Sequence, residues 1–490
     1  RDSLQEGQIG KIETLYRQRG EVLKLLGEYD TASSDFQKLL SYSRQVGEKS
    51  SEGQALNLLA EICWLRGEYP PALKLCNAAL ELTCDLSETS VRALALYGLG
   101  EVERRRGHFD VALRRLESAL GLFEEMEEED SQARTLNNIG ISYWSKGELK
   151  EALKAFQQAM EIRRSLGDRP GVATALNNIG LIYSVIGPAP EALKSFTEAA
   201  KIFQEIGDTR NRCYCLGNVG FILRSSADYS AALEVYLEAL AVLEKIGDEL
   251  GQAYTLNNLG DVYQDLHDLE SAFEYHRRTL KLAKKIDDSE LISEVLANLG
   301  NDELLAGNRA EAKKNLTESL GLAEKIGAGQ MQLKALTGLL DLSVTSGEYE
   351  QAKGYWSNFE QLLEDQDALE YLPKAKLCKG LLEMNLGEVE TAEKSLREGR
   401  EIAEKTGNRR GEWELHFALA RLYQQKTSQI GDGFLQLSSE ELKTARVMIQ
   451  ETAEKISDQK LERLFLTSRE ISTILAAEER PKPQNRKRIS

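Results

Sequence analysis

The chain has 490 residues with 7% aromatic content, 8 Pro, and 62 Lys+Arg against 79 Asp+Glu, a net charge of −17. Ala, Leu, Glu and Lys dominate, which favours helix and argues against a β protein. So acidic a chain does not suit general nucleic-acid binding, which needs Lys/Arg clusters. No run approaches the ~18 apolar residues of a membrane span, so membrane insertion is not expected.

Residues 1–10, "RDSLQEGQIG", read as a lead-in. They carry no apolar signal segment and begin on Arg1, as expected of a fragment or a processed product. Stepping by forty from Gly140 meets Gly20, Gly100, Gly180, Gly220, Gly260, Gly300 and Gly380, with Ala at 60 and 420. Stepping from Ala152 meets Ala at 32, 72, 112, 192, 232, 272, 312, 352 and 392. The register never drifts, so residues 11–425 read as an array of forty-residue repeats, about eleven in all.

Each repeat reads as two helices. In the fourth, Leu136, Ile139, Gly140 and Tyr143 form one apolar face, and Gly147 ends that helix. Leu149, Ala152, Leu153, Phe156, Ala159 and Ile162 form the face of the second, which Gly167 stops. Asp168 then suits the next N-cap, and Gly207–Asp208 and Gly247–Asp248 repeat the punctuation. Gly140 lies on the buried stripe opposite Ala152, where small residues let two helices approach closely.

The last repeat is interrupted. Its first helix is expected at 411–425, a loop insertion at 426–437 and its second helix at 438–456, opened by a Ser438/Glu441 capping box. Residues 457–476 read as a capping helix. Residues 477–490, with five Lys/Arg and two Pro, read as a disordered basic tail or linker.

Chemistry-bearing motifs are missing. The sequence contains no phosphate-binding loop, no HExxH and no GxSxG. His108, His267, His276 and His416 are scattered; His267 replaces a turn Gly and His276 the aromatic of its second helix. The six Cys form no CxxC pair and read as small core residues of a reducing, cytoplasmic environment. No enzymatic activity, metal or cofactor is expected. The acidic run 124–130 reads as solvated surface.

The Gly, the aromatic three later (Tyr143, Tyr183, Tyr263) and Ala-x-x-x-Phe (Ala152/Phe156, Ala192/Phe196) resemble the tetratricopeptide repeat. The forty-residue form with LNNLG and IGD resembles kinesin light chains, Pins-type proteins and the repeat arms of bacterial multidomain signalling ATPases and kinases. The resemblance implies an all-α, right-handed α-solenoid whose first helices line a concave groove. Asn138, Asn178, Asn218, Asn258 and Asn298 stand two before the Gly, and Asn137, Asn177 and Asn257 three before it. The first column matches the position that holds a ligand's backbone in peptide-binding members, and an amide can both donate and accept there. The second column is Lys in chaperone-binding members, so a carboxylate clamp is not supported. Arg134, Trp144, Tyr214, Phe221, Arg224, Tyr254, Asp261 and Asn301 complete the inner stripe. Two readings of the Asn column stay open: ligand contact, or bonds to neighbouring repeats that define the pitch. The expected function is a non-enzymatic scaffold binding a peptide or protein segment. The alternative is a sensor arm of a larger signalling protein, with its groove meeting an effector or its own chain.

Overall fold

The computed structural model describes residues 2–83, 89–186, 189–363, 369–430 and 432–478, the side chains of 2–13, 429, 430 and 432 excepted. The chain divides into two compact bodies at residues 182 and 183. The N-terminal body holds α1 (Asp2–Leu25), α2 (Tyr29–Val46), α3 (Lys49–Leu65), α4 (Tyr69–Leu82), α5 (Thr89–Arg105), α6 (Phe109–Glu125), α7 (Glu129–Ser145), α8 (Leu149–Ser165) and most of α9 (Arg169–Ile186). The C-terminal body continues with α10 (Ala189–Ile206), α11 (Thr209–Ser225), α12 (Tyr229–Ile246), α13 (Glu249–Asp265), α14 (Leu269–Lys285), α15 (Ser289–Leu305) and α16 (Arg309–Ile326). There follow α17 (Gly329–Ser346), α18 (Tyr349–Leu362), α19 (Leu372–Leu386), α20 (Val389–Thr406), α21 (Arg409–Ile430) and α22 (Leu435–Lys455). Two short helices, α23 (Gln459–Thr467) and α24 (Arg469–Ala476), close the order. Among the described residues every element is helical, so each body is an all-α solenoid of helix hairpins.

The forty-residue punctuation has a physical cause at each end of a hairpin. Ala32, Ala72, Ala112, Ala152, Ala192, Ala232, Ala272, Ala312, Ala352 and Ala392 are all 0% exposed. A Cβ built on Gly140 would meet the Phe156 ring at 2.6 Å, and one on Gly260 would meet His276 at 2.3 Å. The Gly therefore accommodates a side chain of the second helix one turn beyond the Ala, a ring at these two positions and Leu at Gly100, Gly300 and Gly380. Gly147 ends α7 at φ 74°, and Asp168 accepts from the Gly171 N–H at 3.0 Å. Asp208 and Asp248 cap α11 and α13 in the same way, accepting from Asn211 and Gly251 at 3.1 Å.

Several boundaries differ from expectation. Residues 2–10 belong to α1; they contain no Pro, and their two Gly cost only about 1 kcal/mol each. Helix α21 runs to Ile430, five residues into the expected loop. Helix α22 starts at Leu435, before Ser438, so the capping box does not form. Ser438 is buried and its Oγ donates to the Ala420 carbonyl at 3.0 Å, while Glu441 pairs with Arg400 and His416. The expected single capping helix is two, broken at Ser468, whose Oγ accepts from the Ile471 N–H at 3.3 Å. Of the basic tail, residues 479–490 lie outside the described residues, as does Cys84. Among the described residues no helix is long and apolar enough to cross a membrane, and no three His, Cys, Asp or Glu converge as metal ligands.

Curvature decides which helices line the inner face. Successive first helices pack on one another, α3 on α5 in the N-terminal body, and α11 on α13, α15 on α17 and α19 on α21 in the C-terminal body. Successive second helices do so at most marginally. The first helices are the crowded, concave side of each body.

Candidate functional site

The asparagine columns fall on these concave helices and are largely engaged with neighbouring repeats. In the N-terminal body the Asn138 amide donates to Tyr97 Oη and Glu101 Oε2, each at 3.0 Å. Asn178 donates to Asn137 Oδ1 at 3.0 Å. In the C-terminal body Asn298 donates to Asn257 Oδ1 at 3.0 Å, and Asn257 to Glu294 at 3.1 Å. The two columns thus bond to each other across one repeat spacing. In the second repeat Asn57 donates to the Val91 carbonyl at 3.0 Å, a bond to the next repeat's backbone. These amides hydrogen-bond neighbouring repeats to one another.

The rest of the stripe divides in two. Asn177 and Asn218 are half-buried and partnered. Asn258 and Asn301 are half-buried and make no hydrogen bond among the described residues. Tyr214, Phe221 and Tyr254 are 40%, 37% and 41% exposed on α11 and α13. Tyr214 Oη donates to Asp248 at 3.1 Å and Tyr254 Oη to Asp288 at 3.4 Å, which fixes both rings at their tips. In the N-terminal body Trp144 is half-buried, and the exposed Arg134 guanidinium stands 5.5 Å over the Tyr97 ring.

Arg224 and Asp261 are committed to ion pairs. Arg224 bridges Asp261 at 3.0 Å and Asp265 at 2.6 Å. Burial opposes the Asp261 charge, but Arg224, Lys334 and His276 outweigh it and hold the carboxyl far below its usual range. His276 is fully buried, 2.6 Å from Asp302 and 3.3 Å from Asp261. Burial alone would neutralise it, yet the two carboxylates lift its pKa to about 9, so it is a cation at neutral pH. Asp265 also receives Arg410 of α21 at 2.6 Å. The sequence places Arg224 and Asp261 on the inner stripe and marks His276 only as a replaced aromatic; it does not single out Asp265, Asp302 or Arg410. The only signal was Asp302 following the Asn301 position, and Arg410 belongs to no repeat column that pairs with residue 265.

The family profile described as "Tetratricopeptide repeat" matches residues 11–85, 91–165, 131–187, 171–245 and 251–325, more than half of the chain. The chain is a tetratricopeptide repeat protein. No curated protein matches it. Among solved structures this tetratricopeptide repeat chain is similar to the apo form of the quorum sensor NprR from B. thuringiensis. That match has 16% identity, covers 73% of this chain and 99% of that one, and gives a TM-score of 0.56. It is similar to a Rap protein complexed with Competence and Sporulation Factor (16%, 73% and 98%, TM-score 0.52). It is also similar to a Signal Transduction ATPase with Numerous Domains from Pyrococcus horikoshii that carries a tetratricopeptide repeat sensor (18%, 72%, TM-score 0.52). This chain spans about half (53%) of that ATPase's length. At these identities the likenesses establish the fold.

Proposed function

We propose that the concave face of the C-terminal body binds a peptide or protein segment, and that this tetratricopeptide repeat chain acts as a non-enzymatic scaffold. The observation that carries this reading is the pairing of exposed rings with idle amides on adjacent concave helices. Tyr214, Phe221 and Tyr254 offer apolar area with little conformational freedom left to lose, since Asp248 and Asp288 hold two of the rings. Asn258 and Asn301 offer donors and acceptors that no repeat neighbour consumes among the described residues. The solved likeness of a Rap protein with Competence and Sporulation Factor supports ligand capture by this fold.

The test is affinity capture from the source cell's lysate with wild type, with Phe221→Ser/Tyr254→Ser/Asn258→Ala, and with Asn298→Ala. The triple variant should lose a partner held by wild type while keeping its helicity and Tm. Asn298→Ala should lose about 1–3 kcal/mol of stability, because its partner Asn257 is buried, yet keep the partner. Retention of every partner by the triple variant would sink this reading.

A second reading is the sensor arm of a larger signalling protein. The ATPase with a tetratricopeptide repeat sensor supports it. An ATPase, kinase or DNA-binding domain encoded next to residues 1–490 would decide for it.

A further inference from the structure

Within the C-terminal body the chain returns on itself. The last short helices, α23 and α24, pack on α22 and share one apolar cluster with the turns that end α11 and α13, more than 190 residues earlier. Phe465 is fully buried between Tyr229 and Trp413, with ring centroids 6.3 and 6.0 Å away. Ile471 and Ile474 are buried in the same apolar cluster as Leu266 and Ala227. The Ser457 N–H donates to Ser230 Oγ at 2.9 Å. Arg410 ties three carboxylates together: Asp265 at 2.6 Å, Glu414 at 2.8 Å and Glu470 at 3.3 Å. Asp265 is also the acceptor of Arg224, so an unbroken ion chain runs from Asp261 on the concave face to Glu470 in α24.

This contact is apolar enough to close and carries costs that a permanent core avoids. The Trp413 Nε1 and Tyr229 Oη groups are buried with no hydrogen-bond partner among the described residues. Each such group gives up its water without compensation. Glu414 and Glu470 are two carboxyls drawn onto the one Arg410 guanidinium, at 2.8 and 3.3 Å. Helices of nine and eight residues do not persist alone in water, so α23 and α24 are ordered by docking. Their sequences are strongly one-sided, with Leu461, Phe465, Leu466, Ile471, Ile474 and Leu475 meeting the cluster.

We propose that α23 and α24 form a releasable latch, an intramolecular occupant that holds the C-terminal body closed at the α11–α14 end. This regulation rests on the concave-face reading above: a segment that engages Arg224 or Asp261 draws on the same ion chain that retains Arg410 and Glu470. Release converts residues 457–478 from ordered to disordered and frees the rim of α11–α14. Ligand binding to the concave face and latch docking are therefore negatively coupled, and each weakens the other by the same factor.

Hydrogen exchange of the full chain, followed by mass spectrometry, tests the latch without any partner. Phe465→Ala should raise exchange of residues 459–476 and 226–231 at least tenfold, with the interiors of α11–α16 unchanged. Tyr229→Phe removes the stranded hydroxyl and should slow exchange of 459–476 about five-fold or more, the equivalent of one unsatisfied group. The proposal is overturned if Phe465→Ala leaves 459–476 unchanged, or if α11–α16 open with 459–476, which makes the two helices an integral cap. Unchanged or faster exchange in Tyr229→Phe also overturns it. Because no ligand enters the measurement, the latch stands or falls separately from the capture experiment with Phe221, Tyr254 and Asn258.

Discussion

Two glycines with different surroundings separate packing from propensity. Gly140 lies under Phe156, which is 2% exposed and cannot swing away, so a methyl group there meets ring carbons at 2.6–2.9 Å. Gly140→Ala should destabilise by about 1–3 kcal/mol despite the better helix propensity of Ala. Gly121 sits inside α6 with nothing within 4 Å of an added Cβ. Gly121→Ala should stabilise by about 0.5–1 kcal/mol, because the unfolded chain loses freedom and the folded one meets no clash. Urea unfolding of both variants checks the signs; a stabilised Gly140→Ala would show that the Phe156 contact is not tight. The forty-residue Gly column was legible because this clash recurs at a fixed spacing. The asparagine columns were legible as columns only. Their partners, Tyr97 and Glu101 for Asn138 and Asn137 for Asn178, lie in the preceding repeat, and the hydrogen bond that decides a side chain's duty depends on the angle between repeats.

Hairpin ends show how one element is made firmer than its copy. At Asp208, with φ −81° and ψ 80°, the carboxylate reaches the Asn211 N–H at 3.1 Å and caps α11. Glu128 occupies the same place before α7 with nearly the same backbone, φ −84° and ψ 73°, and caps nothing. Its extra methylene carries the carboxylate past the orphan N–H groups of the first turn. Glu128→Asp should therefore stabilise α7 by about 0.5–1 kcal/mol, read as a higher urea midpoint with an unchanged slope. An unchanged midpoint would mean that turn geometry, and not side-chain length, leaves α7 uncapped. The Gly–Asp punctuation was visible in sequence for this reason. The end of the array was less so: the Ser438/Glu441 pattern met the capping-box rule, but α22 had already begun at Leu435. Burial gave Ser438 the Ala420 carbonyl as its acceptor and gave Glu441 to Arg400 and His416, so tertiary partners overrode the local signal.

At the scale of the whole C-terminal body, closure is the property a repeat count does not reveal. Forty-residue spacing specifies each hairpin and its neighbour, whereas the meeting of Arg410 with Asp265 depends on curvature summed over several repeats. The closure carries a pH dependence of definite sign. Burial and the facing Glu414 carboxylate, against Arg410 and Lys374, lift the Glu470 pKa to about 7. The pair shares one proton in the closed state and titrates as a dyad. His267, 3.8 Å from Glu470, adds no charge, since burial and Arg410 lower its pKa to about 4. Asp265 accepts from both Arg224 and Arg410, each at 2.6 Å. A carboxyl raised from 4.5 binds its proton more tightly docked than free. Its contribution is thus complete below pH 4.5 and is lost as pH rises through about 7. Protection factors for residues 459–476, which already correct for the chemical exchange rate, should fall between pH 6 and pH 8. Glu470→Gln keeps the hydrogen bond to Glu414 without a titrating proton and should flatten that fall. An equal fall in Glu470→Gln would move the pH dependence to another group. With the expected result, a rise of one pH unit near neutrality loosens the same contact that a concave-face ligand competes with, so proton and ligand act on one ion chain from its two ends.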